Sequence, residues 1–262
     1  MSRFAGRACL VTGSTGMAAS AARAIAAEGG SVFIASRTPD HARELAEAIG
    51  PMAAWQAADV THEDEVEAMV EACNARFGRI DALYAVVGIS GRRFGDGPIH
   101  EASLDGWRTV MEANATSLFL VARAVVRRML AQDPDADGQR GTILTMSSAL
   151  AQHPSSVHFA THAYAASKGA IEGLTRAMAA QYAAPGIRVN AVAPSLVATP
   201  MSHRAQSDPD ILAYLAEKQP LAGGPIDADA ITAVALHLLS RESRMVTGQV
   251  LAVDGGWGVS EP

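Results

Sequence analysis

The sequence predicts a doubly wound α/β fold: one parallel sheet of about seven strands with helices on both faces. Three observations predict it. Apolar, strand-like runs alternate with helical patterns from end to end, the pattern of a sheet wound with crossover helices. The apolar runs are continuous rather than alternating with polar residues, which suits strands buried on both faces. The chain has 262 residues, 49% hydrophobic and 18% charged, enough to bury one large core and too apolar for a disordered chain or a simple coiled coil.

The strands are expected at 8–12, 31–36, 52–58, 82–87, 142–146, 187–192 and 250–253. The second is rich in β-formers, with Val32, Phe33 and Ile34. Amphipathic stretches lie between them at 18–28, 61–77, 103–132, 163–183 and 227–240. The stretch from 61 opens on Thr61-x-x-Asp64, read as a helix N-terminal box. Residues 133–140 form a polar turn cluster. Residues 195–225 break the alternation: Pro200, Pro209, Pro220, Pro225, Gly223 and Gly224 surround a short helical patch at 211–218. A long insertion beyond the carboxyl end of a strand is where such folds place ligands, so this segment is expected to be the substrate loop. With no internal repeat and no low-complexity linker, residues 1–262 read as a single domain.

A formal net charge of −6 argues against a general nucleic-acid binder, which is basic. Two cysteines, Cys9 and Cys73, cannot make a disulfide framework. Cys9 sits in the apolar run Ala8-Cys9-Leu10-Val11, as a buried thiol does in a reducing compartment. No uninterrupted apolar run approaches the roughly 18 residues of a membrane span, and the N-terminus lacks a signal-peptide core. A cytoplasmic protein without a membrane partner is expected.

Two motifs carry chemistry. Thr12-Gly13-Ser14-Thr15-Gly16-Met17-Ala18 joins the first strand to the first helix. Glycines there let backbone N–H groups approach a pyrophosphate at the helix N-terminus, although a Gly-rich tight turn alone is common. Tyr164-Ala165-Ala166-Ser167-Lys168 places a phenol and an ammonium one helical turn apart. A nearby ammonium favours phenolate and is expected to lower the Tyr164 pKa from about 10. That makes a general acid/base usable near neutral pH.

Further motifs follow in order: Asp59-Val60, Asn114, Ser147-Ser148, Val189-Asn190-Ala191-Val192-Ala193-Pro194, Thr199-Pro200-Met201 and Asp254-Gly255-Gly256. With these the sequence resembles the short-chain dehydrogenase/reductase family, in its ordinary single-domain form, over nearly all of the chain. The resemblance implies a Rossmann-type fold and an NAD(P)-dependent oxidoreductase that interconverts a carbonyl and an alcohol. It implies that Tyr164 is the acid/base and that Ser148 binds the substrate oxygen, with Ser147 as the neighbouring contender. Lys168 would bind the nicotinamide ribose and depress the Tyr164 pKa. Asn114 would hold a water that links Lys168 to solvent. Gly13, Ser14, Thr15, Gly16 and Met17 would line the pyrophosphate turn, and Asp59, followed by Val60, would receive the adenine edge. Gly88 would end the fourth strand's cofactor wall. Pro194, Val197 and Thr199 would touch the nicotinamide end. A small carbonyl or alcohol substrate is implied, with a homotetramer or dimer joined through 103–132 and 163–183.

Three departures from the family pattern stand out. The glycine turn is one residue shorter than the usual Thr-Gly-x-x-x-Gly-x-Gly, with Ala18 in place of the third glycine. The usual Asn-Asn-Ala-Gly reads Ala85-Val86-Val87-Gly88, so the strand ties of the first Asn must come from elsewhere. Ser195 replaces the usual glycine after Pro194. At the end of the second strand, Ser36 removes the acidic residue that would repel a 2′-phosphate, and Arg37 can pair with one. This favours NADP(H) over NAD(H).

Arg92-Arg93 follows the fourth strand near the expected cleft, either as a solvated loop pair or with one Arg on an acidic substrate group. His153, His158 and His162 read as surface or substrate-loop residues, with no metal expected. Arg123, Arg127 and Arg128 read as a solvated face or a subunit contact. Two rivals remain open: a non-catalytic nucleotide-binding sensor or scaffold, and an enoyl reductase. The intact Asn–Ser–Tyr–Lys set argues against the first. The second usually has a wider Tyr–Lys spacing.

Overall fold

In the computed structural model, which describes residues 2–261, seven strands form one all-parallel sheet in the order β3-β2-β1-β4-β5-β6-β7. They are β1 (Ala8–Thr12), β2 (Ser31–Ser36), β3 (Ala53–Ala57), β4 (Ala82–Ala85), β5 (Gly141–Met146), β6 (Ile187–Pro194) and β7 (Val250–Val253). Successive side chains alternate between faces. Leu10, Phe33, Leu83 and Ile143 enter a core with α3 (Glu63–Phe77), α5 (Ser117–Ala131) and α6 (His162–Tyr182). Val11, Ile34, Tyr84 and Leu144 enter the other, with α1 (Gly16–Ala27), α2 (Pro39–Ile49) and α9 (Ala228–Leu239). Burial on both faces holds for the five inner strands. The edge strands β3 and β7 are half-exposed, because nothing pairs with their outer sides.

The strands fall where the apolar runs place them, with β4 ending two residues early and β6 running two residues longer. Helix α2 is not expected from the sequence reading. Its composition is polar, yet Pro39 opens it and Ala42, Leu45 and Ala46 make its buried stripe. The Thr61–Asp64 box does not form. The Thr61 hydroxyl donates to Asp59 Oδ1 at 2.7 Å, and His62 caps α3 without a side-chain bond. Glu65 instead reaches back to accept from the Asp59 N–H at 2.8 Å.

The stretch 103–132 is a continuous helix, Leu104–Ala131, with a wide turn inside it. Helix α4 (Leu104–Met111) is capped by Ser103, a π-helical turn follows at Glu112–Thr116, and α5 continues from Ser117. The combined span Leu104–Ala131 is long and apolar enough to cross a membrane by length and composition. More than half of its most apolar window is buried within the protein, as in a core helix. Arg127 lies on a solvated face, as one of the two expectations had it, and Arg123 is partly buried; they pair with Glu63 and Glu67 and link α5 to α3. The Arg128 Nε is buried without a hydrogen-bond partner.

Residues 195–225 carry α7 (His203–Gln206) and α8 (Pro209–Lys218). A bridge between Val197 and Ile226 closes the base of this excursion. At the other end of β6, buried Arg188 donates to the carbonyls of Val246, Leu238 and Ser240 at 3.0–3.1 Å. Burial, and then Arg7 nearby, pull its pKa down to about 10. Arg188 thereby ties the end of α9 to the segment that feeds β7. Arg188→Met should remove these three charge-assisted hydrogen bonds, leaving the carbonyls to Asn190 and Ser243 alone, and lower the unfolding free energy by about 2 kcal/mol. Urea denaturation measures this, and a change within about 0.5 kcal/mol, the range of ordinary surface substitutions, would refute the tie.

Candidate active site

The carboxyl ends of β1, β4, β5 and β6 open onto one crevice, where the sheet order reverses direction around β1 and β4. The turn after β1 takes its path from glycine. Gly13 has φ +107° and Gly16 φ +53°, which side chains disfavour. A Cβ on Gly13 would lie 3.1 Å from the Ala18 methyl, and one on Gly16 would lie 3.0 Å from Thr199 Cγ2. The shortened turn therefore closes on Ala18 and brings Thr199 over its tip. The tie lost at Ala85 is supplied by Thr12, whose Oγ1 accepts from the Val86 N–H at 3.1 Å.

The turn forms one wall of a groove of about 310 Å³, lined by Gly13 to Met17, Ser36, Arg37, Asp59, Val60, Gly88 and Thr199. It runs from the ends of β2 and β3 to Gly88, and its length and glycine-built wall fit an extended dinucleotide. At the far end the Ser36 hydroxyl accepts from Ser14 at 2.8 Å. Arg37 is exposed, 3.7 Å from the Asp59 carboxylate. Burial pushes the Asp59 pKa up, but the bonds from Thr61 and the charge of Arg37 outweigh it, and the net shift is downward.

Asn114, fully buried, lies within the π turn, a distortion common at functional sites. Its Oδ1 accepts from the Ile89 N–H at 2.7 Å, and its Nδ2 donates to the Ile89 carbonyl and to Ser167 Oγ. A Cβ on Gly88 would sit 3.1 Å from Asn114 Oδ1 and 3.4 Å from Lys168 Nζ. Only glycine lets these two side chains converge there. Lys168 donates to the Met146 carbonyl at 2.8 Å, and its Nζ lies 5.5 Å from the Tyr164 ring centre.

Ser147 and Ser148 separate by direction. The Ser147 hydroxyl donates to the buried Glu172 at 2.9 Å. The Ser148 hydroxyl faces Tyr164 and eases its pKa down. Burial dominates, however, and the Tyr164 pKa is raised. This corrects the expectation that Lys168 depresses it. Lys168 is itself desolvated, which brings its own pKa down to about 8, and spacing along a helix does not reveal that burial. Sequence reasoning also missed Asp96. Its carboxylate accepts from the Ala163 and Tyr164 N–H groups at 2.9 Å and so fixes the start of α6.

Beyond Tyr164 lies a cavity of about 180 Å³. Pro194, Val197 and Thr199 line it, together with Met201 and Arg204 of the 195–225 loop; Phe159 and Trp257 come from outside the segments that the sequence singled out. The aromatic residues belong to a cluster joining the 149–159 loop, α8 and the C-terminal segment, contacts too distant in sequence to read. Arg92 lines the cavity; Arg93 instead stacks on Phe94 at 4.8 Å. Ser195 donates to the Asp254 carbonyl at 3.0 Å, which gives the replaced glycine a tethering role. His153, His158 and His162 join no metal-binding cluster among the described residues.

A family profile described as "Enoyl-(Acyl carrier protein) reductase" matches residues 11–258. The chain is 37% identical to the cis-4-hydroxycyclohexanecarboxylate dehydrogenase of Sinomonas cyclohexanicum, over 97% of each chain. It superposes on a short-chain type dehydrogenase/reductase from Mycobacterium ulcerans with a TM-score of 0.89 and 28% identity, covering 98% of this chain and 92% of that one. A 3-ketoacyl-(acyl-carrier-protein) reductase from Brucella melitensis, solved in complex with NADH, gives a TM-score of 0.86 and 28% identity, covering 97% and 99%. Likeness along nearly the full length, in both sequence and structure, means that the chain belongs to the short-chain dehydrogenase/reductase family and is an NAD(P)-dependent oxidoreductase.

Proposed function

We propose that the chain interconverts a secondary alcohol and its ketone, with Tyr164 as acid/base. The observation that carries this is the meeting of Ser148, Tyr164, Lys168 and Asn114 around Gly88, between groove and cavity. The bound nicotinamide supplies or takes up the hydride. In reduction the Tyr164 hydroxyl gives its proton to the carbonyl oxygen, while Ser148 donates a hydrogen bond to that oxygen. The Lys168 ammonium holds the ribose and stabilises the phenolate left behind. Asn114 pins the Ile89 backbone and, through the second lone pair of Oδ1, holds a water that returns the proton from solvent. The Sinomonas relative is named for a ring hydroxy acid, which supports a secondary alcohol as the reacting group. The Tyr–Lys spacing of four and the Ser148–Tyr164 pair favour this chemistry over the enoyl reduction in the profile's description.

NADP(H) is the preferred cofactor in this reading. The support is the exposed Arg37 on the groove wall and the absence of an acidic side chain at Ser36. One domain spans residues 1–262, with 195–225 as its substrate loop, because groove and cavity share the ends of one sheet. Buried, unpaired Cys9 and Cys73 support a cytoplasmic setting. Exposed Leu104, Trp107 and Phe119 on α4 and α5 support a dimer or tetramer.

Tyr164→Phe should lower kcat by at least about 10²-fold while cofactor binding, followed by fluorescence titration, persists; near wild-type turnover would sink the assignment. Arg37→Ala should weaken NADP(H) binding by roughly 10- to 100-fold, the scale of a hydrogen bond to a charged group, and leave NAD(H) unchanged. Equal losses for both cofactors would reduce Arg37 to a surface residue.

The pH dependence of reduction follows from burial. The step needs the Tyr164 proton and the Lys168 charge. Burial raises the first pKa and lowers the second to about 8. Lys168 therefore discharges first, and kcat/KM for a ketone should fall as pH rises through about 8. In Lys168→Met the residual rate should be flat across that window. A fall that persists in the variant would assign it to another group.

A further inference from the structure

Arg92 and Arg204 come from different parts of the chain and share one wall of the substrate cavity. Arg92 begins the short turn that follows Gly91. That turn leaves no choice at Gly91, where φ is +82° and a Cβ would lie 2.4 Å from Val110 Cγ2. Arg92 donates to the His158 carbonyl, which uses one of five guanidinium N–H bonds and leaves the rest of the fork for a ligand. Arg204 lies on α7, inside the substrate loop. Its contact to Asp208 is long, 3.9 Å, and the Asp208 carboxylate caps α8 through Oδ1.

The remaining lining is neutral apart from Lys168, with no carboxylate among the lining residues. Leu150, Phe159, Leu196, Met201 and Trp257 make its walls apolar. Burial, and then the charge of Arg204, lower the Arg92 pKa, against a smaller opposing pull from Asp96. Two like charges held on one apolar wall repel each other, and an anion placed between them relieves that repulsion. The chain carries a net charge of −6, so overall steering works against an anion and a local pair is needed to hold one.

We propose that the substrate is a compact, largely apolar hydroxy acid or oxo acid whose carboxylate is held by Arg92 and Arg204 while its reacting carbon meets Tyr164 and Ser148. This rests on the Tyr164 reading above and names the substrate class for that site. Arg92 and Arg204 are specificity-determining residues; they take no part in proton transfer. Arg93 stands outside the clamp as an internal control.

The test uses 4-oxocyclohexanecarboxylate and its neutral carboxamide as matched probes. Wild type should favour the acid in kcat/KM by about tenfold or more, with an advantage that shrinks as salt rises. Arg92→Gln and Arg204→Gln should each remove most of that preference through KM and leave the carboxamide within about twofold; Arg93→Gln should leave both unchanged. Binding of the same two probes to the cofactor-loaded Tyr164→Phe protein, measured by calorimetry, reads the clamp without turnover. Acid-selective binding that both Arg variants lose supports the clamp even if turnover is absent, and only the Tyr164 reading then fails. An acid-to-amide ratio near one, or a ratio that both Arg variants preserve, overturns the clamp, and Tyr164-dependent turnover of the neutral ketone would leave the reading of the catalytic centre standing.

Discussion

A buried ammonium without a carboxylate partner governs the architecture of this site. Lys168 is 2% exposed, and its hydrogen bond in the structure goes to the main-chain carbonyl of Met146. Burying a cation costs several kcal/mol unless its surroundings compensate. The fold compensates with backbone: β5 ends at Met146, so its last carbonyl is free to turn toward the amine. The neighbouring chain at Gly88 lacks a side chain, so the amine and Asn114 fit together. Desolvation shifts Lys168 and Tyr164 in opposite directions, and both shifts favour the neutral form. Burial thus separates two groups whose ordinary pKa values nearly coincide, so that Tyr164 keeps its proton where Lys168 has lost its own.

The groove and the cavity are not independent compartments. Met17, Gly88 and Thr199 border both. Thr199 is in turn held by a reciprocal cap with Ser202, at the start of the loop that carries Arg204. Trp257 closes the far side, with its indole N–H donating to the His153 carbonyl at 2.9 Å. Main-chain and aromatic contacts, rather than ion pairs, connect the 149–159 loop to the C-terminal segment.

Much of this was legible in the sequence because it is encoded locally. Continuous apolar runs placed seven strands, and the ordered short motifs placed Asn114, Ser148, Tyr164 and Lys168 at one end of the sheet. The failures share a cause. Helix α2 has a narrow stripe of Ala42, Leu45 and Ala46 on a polar background, and that weak signal becomes clear only against β2. The Thr61 box lost to an Asx turn at Asp59, which offered the same hydroxyl a nearer acceptor. The Tyr164 shift was given the wrong sign because spacing shows a neighbour and not its desolvation. Asp96, Phe159 and Trp257 entered the site through contacts across tens of residues, which no local pattern carries.

The π turn at Glu112–Thr116 shows how such a site is maintained. One extra residue in a helix rotates everything beyond it by about 100°. Without that residue, α4 and α5 would run straight, and Asn114 could not face Gly88 while α5 still met α3. Local helix energetics favour the straight form, since the wide turn is the less regular one. Sequence drift that rewarded helix regularity alone would therefore erase the Asn114 contact before it disturbed the sheet. A descendant could in this way keep its sheet and its groove, and lose the contact between Asn114 and the Ile89 backbone through a single-residue deletion.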